Sequence, residues 1–122
     1  MSRHNEILSF ISHFAGSEDT FLYGCCYWFA FILRSRFGLD IVYEPVEGHF
    51  LARAFLPSEI RDGVVSYSEC FFDIRGDVTA MYSGKETYKE SWLKKNEPNW
   101  YARIMNDCRY FIAPTDEELE VS

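Results

Sequence analysis

YGCCYWFAFILRSRFG, residues 23–38, places two adjacent cysteines directly before a run of apolar residues. The run is apolar on nearly every side until Arg34 and stops at Gly38, which is typical of a central helix that is buried on most sides. Free cysteine often serves as a small buried hydrophobe, so packing is one explanation for the two thiols. Chemistry at the start of the helix is the other, and the flanking sequence bears on the choice.

The length and charge of the chain limit its class. A chain of 122 residues with 48% hydrophobic residues can bury a core as one domain. We expect this domain to span 1–114 and to be followed by an acidic tail, 115–122. The net charge of -7 opposes the phosphate backbone, so nucleic acid is not an expected partner. The N-terminal sequence resembles neither a signal peptide nor a membrane span, which favours a cytoplasmic protein without a membrane partner.

The four cysteines are at positions 25, 26, 70 and 108, and their spacing matches no zinc-binding motif. In a cytoplasmic protein they are expected to remain free thiols. We therefore expect no metal and no cofactor.

The segments around the cysteine helix predict an α+β fold. Residues 2–16 have helical spacing of apolar residues, and residues 40–56 have β-forming residues broken by Pro45 and Gly48 into a tight hairpin. Residues 56–69 suggest a longer connection with a short strand at 64–67, before a strand in CFFDIRG, residues 70–76.

The last third of the chain predicts flanking helices. Residues 84–107 indicate one or two helices interrupted near Pro98, and 108–114 predict a last strand or an apolar cover. The expected architecture is a central helix, with a cysteine at its N-terminus, packed on a small antiparallel sheet of three or more strands.

GCCYWFA, residues 24–30, resembles the nucleophile motif Gly-Ser-Cys-Trp-Ala-Phe-Ala of papain-like cysteine peptidases when Cys26 is set on the catalytic cysteine. Next in order come His49 in EGHFLARAF and Asp73 in CFFDIRG, 23 and 24 residues apart. This short spacing is most similar to the compact NlpC/P60-like version of the papain-like fold. The resemblance implies a catalytic triad of Cys26, His49 and Asp73.

The chemistry of such a triad also follows from the residue types. A helix N-terminus stabilises a thiolate, an imidazole within reach accepts and returns its proton, and a carboxylate fixes the ring's orientation. These roles fall to Cys26, His49 and Asp73. They require the histidine and the aspartate to share one sheet face, which we expect to be the face toward the cysteine helix.

Each residue also has a structural interpretation. Cys26 could fill the core, and His49 could cap the turn after Gly48. Asp73 lies in an apolar strand where an unpaired carboxylate is costly, so it could form an ion pair with Arg75 instead of orienting a histidine.

The oxyanion of a thioester reaction needs two donors, and the backbone N–H of Cys26 could be one. Papain-like enzymes commonly use an upstream glutamine as the second, but this sequence contains no glutamine. Tyr23 resembles the upstream tyrosine of NlpC/P60-like enzymes, and Asp19 and Thr20 are the other candidates. Trp28 is among the aromatic residues that could line a substrate cleft.

The sequence thus predicts a cysteine-dependent hydrolase or transferase: a peptidase, isopeptidase, deamidase or acyl transferase. It would act through a thioester on a cytosolic protein or peptide. The alternative is a non-catalytic acidic interaction or inhibitor protein of phage or mobile-element type on the same fold. The two hypotheses differ over Cys26, since only an enzyme needs this thiol to be accessible and reactive.

Overall fold

A computed structural model describes residues 2–16 and 26–107, and this part of the chain contains five helices and five strands. The expected α+β class is confirmed. The elements in chain order are α1 (Arg3–Ser12), α2 (Cys26–Phe37), β1 (Asp40–Glu44), β2 (His49–Arg61), β3 (Val64–Asp73), β4 (Gly76–Asp77), α3 (Thr79–Tyr82), β5 (Tyr88–Lys89), α4 (Glu90–Asn96) and α5 (Pro98–Asp107).

The strands form one antiparallel sheet in the order β4-β3-β2-β1-β5. The predicted hairpin is confirmed: β1 and β2 pair from Asp40 opposite Arg53 to Glu44 opposite His49. Gly48 ends the connecting turn with a φ of 66°, a conformation in which a residue without Cβ is favoured. The turn therefore sets where β2 begins.

The predicted strand at 64–67 lies within β3, but the predicted connection around it is wrong, because residues 56–69 belong to a long β-hairpin. β2 continues to Arg61 and β3 starts at Val64, with Asp62 and Gly63 as the two turn residues. Both have positive φ, 51° and 78°, which fits the two-residue hairpin turns that Asp-Gly favours. Pro57 is tolerated because the ladder is irregular between Pro57 and Glu59.

The two faces of the sheet are covered by different layers. Residues 50, 52, 54 and 56 of β2 point toward α1 and α2, because side chains alternate along a strand. Leu51 of β2 and Phe71 of β3 point to the other face, where α3 covers them. The first face carries two core clusters. One includes Phe29, Leu33, Ala52 and Phe72, and the other includes Tyr27, Ala30, Ile41 and Phe50. The second face carries one cluster, formed by Val42, Leu51, Phe71, Val78 and Tyr82.

The predicted helices after residue 84 are confirmed as two, α4 and α5, and Pro98 begins the second of them. Proline is tolerated at the first turn of a helix, where its missing N–H would be unpaired. Residues 108–114 and the acidic tail lie outside the described residues. No helix within 2–16 and 26–107 is long and apolar enough to cross a membrane.

Candidate active site

Cys26 is the first residue of α2 and is partly exposed. The predicted position of this thiol at the start of the buried helix is confirmed. The free N–H groups and positive dipole end of a helix N-terminus favour a negative charge, so this position suits a thiolate.

His49 and Asp73 meet at one end of the sheet, as predicted. His49 is the first residue of β2 and Asp73 the last of β3, and both side chains are buried. The His49 Nε2 lies 3.0 Å from Asp73 Oδ2. A carboxylate at this distance holds the ring in one orientation.

The expected sheet face was wrong. Strand alternation sets both His49 and Asp73 on the face of Leu51 and Phe71, which α3 covers and α2 does not. Cys26 nevertheless lies close enough to the His49 ring for hydrogen bonding and charge to raise the histidine pKa. The physical reason is that His49 begins its strand, so its ring sits at the end of the sheet. The N-terminus of α2 approaches the ring at this end of the strands, where neither face of the sheet lies between them.

The electrostatics of the three groups favour an imidazolium between two partners. Burial lowers the pKa of His49, but the hydrogen bonds to Asp73 and Cys26 outweigh it and raise the pKa to about 9. Burial likewise opposes ionisation of Asp73, whereas hydrogen bonds from His49 and Arg75 hold its pKa below the usual value. Because Asp73 occupies Nε2, Nδ1 is the ring nitrogen left for the thiol.

Asp73 also pairs with Arg75, so the same carboxylate both contacts the histidine ring and forms the ion pair. The Arg75 backbone N–H donates to Oδ1 at 2.8 Å, and its Nη2 donates to Oδ2 at 2.5 Å. The Arg75 side chain is one third exposed, whereas that of Asp73 is 4% exposed. Oδ2 therefore accepts hydrogen bonds from both the partly exposed arginine and the buried imidazole.

Tyr82 and Glu47 complete the surroundings of the histidine, and sequence reasoning missed both. The Tyr82 ring stacks on His49 with centroids 6.1 Å apart. Its hydroxyl accepts from Arg75 Nη2 at 3.1 Å and donates to Glu47 Oε2 at 2.6 Å. The tyrosine thus links the arginine that holds Asp73 to the turn that precedes His49.

Glu44 is a third missed residue. Its carboxylate is fully buried and accepts the backbone N–H groups of Val46 and Glu47, at 2.9 and 2.8 Å. It stands directly opposite His49 in the β1–β2 ladder. Glu44 therefore fixes the turn that carries the chain into the histidine.

The remaining predicted site residues are Tyr23, Asp19, Thr20 and Trp28. Tyr23, Asp19 and Thr20 lie outside the described residues. Trp28 lies about 200° around the helix from Cys26, since an α-helix has 3.6 residues per turn. Its ring packs edge-on against the rings of Tyr27 and Phe31, with centroids 5.5 and 5.6 Å apart.

Within residues 2–16 and 26–107, no group of three or more histidine, cysteine, aspartate or glutamate side chains is arranged to hold a metal ion. What these residues do bring together is a thiol, an imidazole and a carboxylate. No family model matches this chain, and the searches of curated proteins and of solved structures found no match either.

Proposed function

We propose that this protein is a cysteine-dependent hydrolase or transferase with a compact papain-like, NlpC/P60-like core. Its substrate is an amide, isopeptide or thioester bond of a cytosolic protein or peptide, and its place of action is the cytoplasm. The observation that carries the proposal is the meeting of Cys26, at a helix N-terminus, with a buried His49 whose other nitrogen is held by Asp73. No cofactor takes part in this chemistry.

The reaction uses the three groups in a fixed order. The Cys26 thiolate attacks the substrate carbonyl carbon and forms a C–S bond, while the carbonyl π electrons move onto oxygen. Collapse of this oxyanion expels the leaving amine or thiol, which takes its proton from the His49 imidazolium. Neutral His49 then removes a proton from water, or from an acceptor amine, as this nucleophile attacks the thioester carbonyl. Cleavage of the C–S bond releases the Cys26 thiolate and restores the His49 imidazolium.

The oxyanion forms at the N-terminus of α2. The backbone N–H of Cys26 supplies one donor there, and the helix dipole adds to the stabilisation of the negative charge. The second donor belongs to residues that precede Cys26, where Tyr23, Asp19 and Thr20 stay as predicted candidates.

Trapping of the thioester tests the proposal. p-Nitrophenyl acetate should release p-nitrophenolate in a burst and leave an acetyl group on Cys26, located by peptide mass spectrometry and removed by hydroxylamine. Cys26→Ser should abolish the burst, and His49→Gln should slow acylation by about 100-fold or more, because the imidazole supplies the proton transfer. Cys70→Ser is the matched control and should acylate as the natural sequence does.

Two results would contradict this function. One is acetylation spread evenly over Cys25, Cys26, Cys70 and Cys108. The other is a burst that His49→Gln leaves unchanged, because the thiol would then react without help from the imidazole.

A second candidate function is non-catalytic binding by an acidic interaction protein, and the outer part of the β2–β3 hairpin favours it. We call residues 54–70 the arm. Beyond Ala54 β2 has no partner but β3, and β4 pairs only with Phe72 and Asp73. One face of the arm carries large exposed apolar side chains, typical of a protein interface; they are Phe55, Ile60, Val65 and Tyr67.

The reactivity of Cys26 separates the two candidates. Iodoacetamide at neutral pH should label Cys26 ahead of the other three cysteines if the protein is an enzyme. Equal labelling would favour the interaction protein, because binding through the arm places no demand on the thiol.

A further inference from the structure

Four aromatic side chains form a partly exposed surface on the α2 side of the sheet. We call Tyr43, Tyr88, Trp92 and Trp100 the aromatic surface. Trp100 packs edge-on against Tyr43 and Tyr88, with centroids 6.1 and 5.3 Å apart, and Tyr88 stacks on Trp92 at 5.6 Å. Trp92 is 44% exposed, and the other three are partly buried. The surface therefore offers aromatic rings to a ligand from solvent.

Two carboxylates stand beside these rings. The Tyr88 hydroxyl donates to Glu86, and the charges of Glu86 and Glu97 both act on Tyr88. Both glutamates are exposed, and neither forms an ion pair with any residue in the described part of the chain. Negative charge next to aromatic faces is the arrangement that attracts a cation.

No cation of the described residues occupies the aromatic surface. The neighbouring Lys89 turns to Asp40, with Nζ 3.7 Å from Oδ1, and Lys94 lies over Tyr101 instead. The Trp92 ring, which is 44% exposed, can be reached by a cation from another molecule.

The aromatic surface adjoins the candidate active site. Tyr43, Trp100 and Cys26 pack against the same buried cluster, which includes Phe50. A Cβ built on Gly48 would lie 3.5 Å from the Tyr43 hydroxyl, which sets this hydroxyl beside the residue that precedes His49. The Tyr43 end of the aromatic surface therefore lies next to the turn that leads into His49.

We propose that the aromatic surface, with Glu86 and Glu97, binds a positively charged side chain, lysine, arginine or a methylated lysine, of a peptide presented to Cys26. Its use as a substrate subsite rests on the function proposed above, whereas the binding itself does not. An apolar side chain would also contact the rings, but it would gain nothing from the two carboxylates. The charge of the ligand therefore distinguishes this site from an ordinary apolar patch.

Peptide binding to the Cys26→Ser variant tests the site without any chemistry. The probes are Ac-Gly-Lys-Gly-NH2, its trimethyl-lysine form and the neutral norleucine peptide, followed by the indole N–H resonances in NMR titrations. The chain has three tryptophans, so Trp28 serves as the internal reference for Trp92 and Trp100. The two cationic peptides should shift Trp92 and Trp100 but not Trp28, with an affinity that falls as salt is added.

The carboxylates are tested by substitution in the same experiment. Glu86→Gln and Glu97→Gln should each weaken binding of the lysine peptide by about threefold, the range of a modest cation–π or charge contribution. Glu6→Gln is the control, because Glu6 is an exposed carboxylate on α1. An equal response to norleucine, or unchanged affinity in both glutamine variants, would overturn the proposal. If the cationic peptides bind and Cys26 forms no acetyl thioester in the natural sequence, the proposed function fails and the cation site stands.

Discussion

At the scale of single residues, Asp73 decides the properties of the candidate site. Its Oδ2 accepts hydrogen bonds from a buried imidazole and a partly exposed guanidinium at the same time, at 3.0 and 2.5 Å. Ion pairing and ring orientation are therefore not alternatives here. Arg75 helps to keep the carboxylate ionised, and the ionised carboxylate helps to keep His49 charged.

Asp73→Asn should impair both roles of the carboxylate, support of His49 and pairing with Arg75, and the size of each effect can be measured. We expect Cys26 to react more slowly with iodoacetamide, because a neutral amide lacks the negative charge that helps to keep His49 protonated. The free energy of unfolding should fall by about 1–3 kcal/mol, less than for a fully buried ion pair, since water can hydrate the exposed third of Arg75. Thermal unfolding and alkylation rates measure both effects.

Asp77→Asn is the control for this substitution, because Asp77 bonds His4 and Thr79 away from the triad. It should leave the alkylation rate of Cys26 unchanged. A normal alkylation rate in Asp73→Asn would show that the carboxylate does not act through His49.

His49 gives the stability of the protein a specific pH dependence. Its pKa rises from 6.5 to about 9 on folding, so the folded state binds the proton more tightly than the unfolded state. This contribution is fully present below about pH 6.5 and is lost as the pH rises through about 9. At about 1.4 kcal/mol per pKa unit, it amounts to roughly 3–4 kcal/mol.

Chemical denaturation at a series of pH values measures this contribution. The natural sequence should lose stability between about pH 6.5 and about pH 9, and His49→Gln should show a much flatter profile over that range. Identical profiles for the two proteins would contradict a charged His49 in the folded state.

At the scale of elements, the cysteine helix, the first hairpin and the end of β3 were predictable because each carries a strong local signal. α2 is apolar and stops at glycine, and β1–β2 turn at Pro45 to Gly48. The arm was missed because Pro57 and several polar residues hide its strand character. The Asp62-Gly63 pair was the available signal for a hairpin turn.

The triad was predictable from the order of its residues along these elements, but its surroundings were not. Tyr82 and Glu47 meet across 35 residues of sequence, and neither has a local pattern that marks it. The face of His49 was mispredicted because a helix was assumed to reach only the face it covers. At the end of a sheet that assumption fails, since the first residue of a helix can reach around the edge.

The outer part of the arm, residues 57–67, should be dispensable for the fold and for the thiol. Residues 57–67 are all exposed, and none belongs to a core cluster. Leu56 and Ser68 face each other in the ladder, so replacing 57–67 by Asn-Gly should close a normal two-residue hairpin. The shortened protein should keep its near-native melting temperature and the alkylation rate of Cys26.

The contrasting variant lies at the base of the arm. Leu56 is 5% exposed and packs in the core, so Leu56→Ala should cost about 2–3 kcal/mol of unfolding free energy. A shortened protein as unstable as Leu56→Ala would show that the arm supports the sheet.

At the scale of the whole molecule, charge and topology bear on its partners. The net charge of -7 favours approach of positively charged molecules, which agrees with the cation site proposed beside Cys26. Surface attraction of this kind is screened by salt, whereas the His49–Asp73 pair is buried and largely protected from screening.

The exposed tip of the arm also divides the chain in a useful way. Cys26 and His49 precede Asp62-Gly63, and Asp73 follows it, so a protease that cuts this turn yields two fragments, neither of which holds all three groups. We expect the cut halves to remain joined through the β2–β3 ladder, and the same halves made separately to regain a fast-reacting thiol only when mixed. The protein is therefore suited to a split-protein assay, in which alkylation of Cys26 reports fragment complementation.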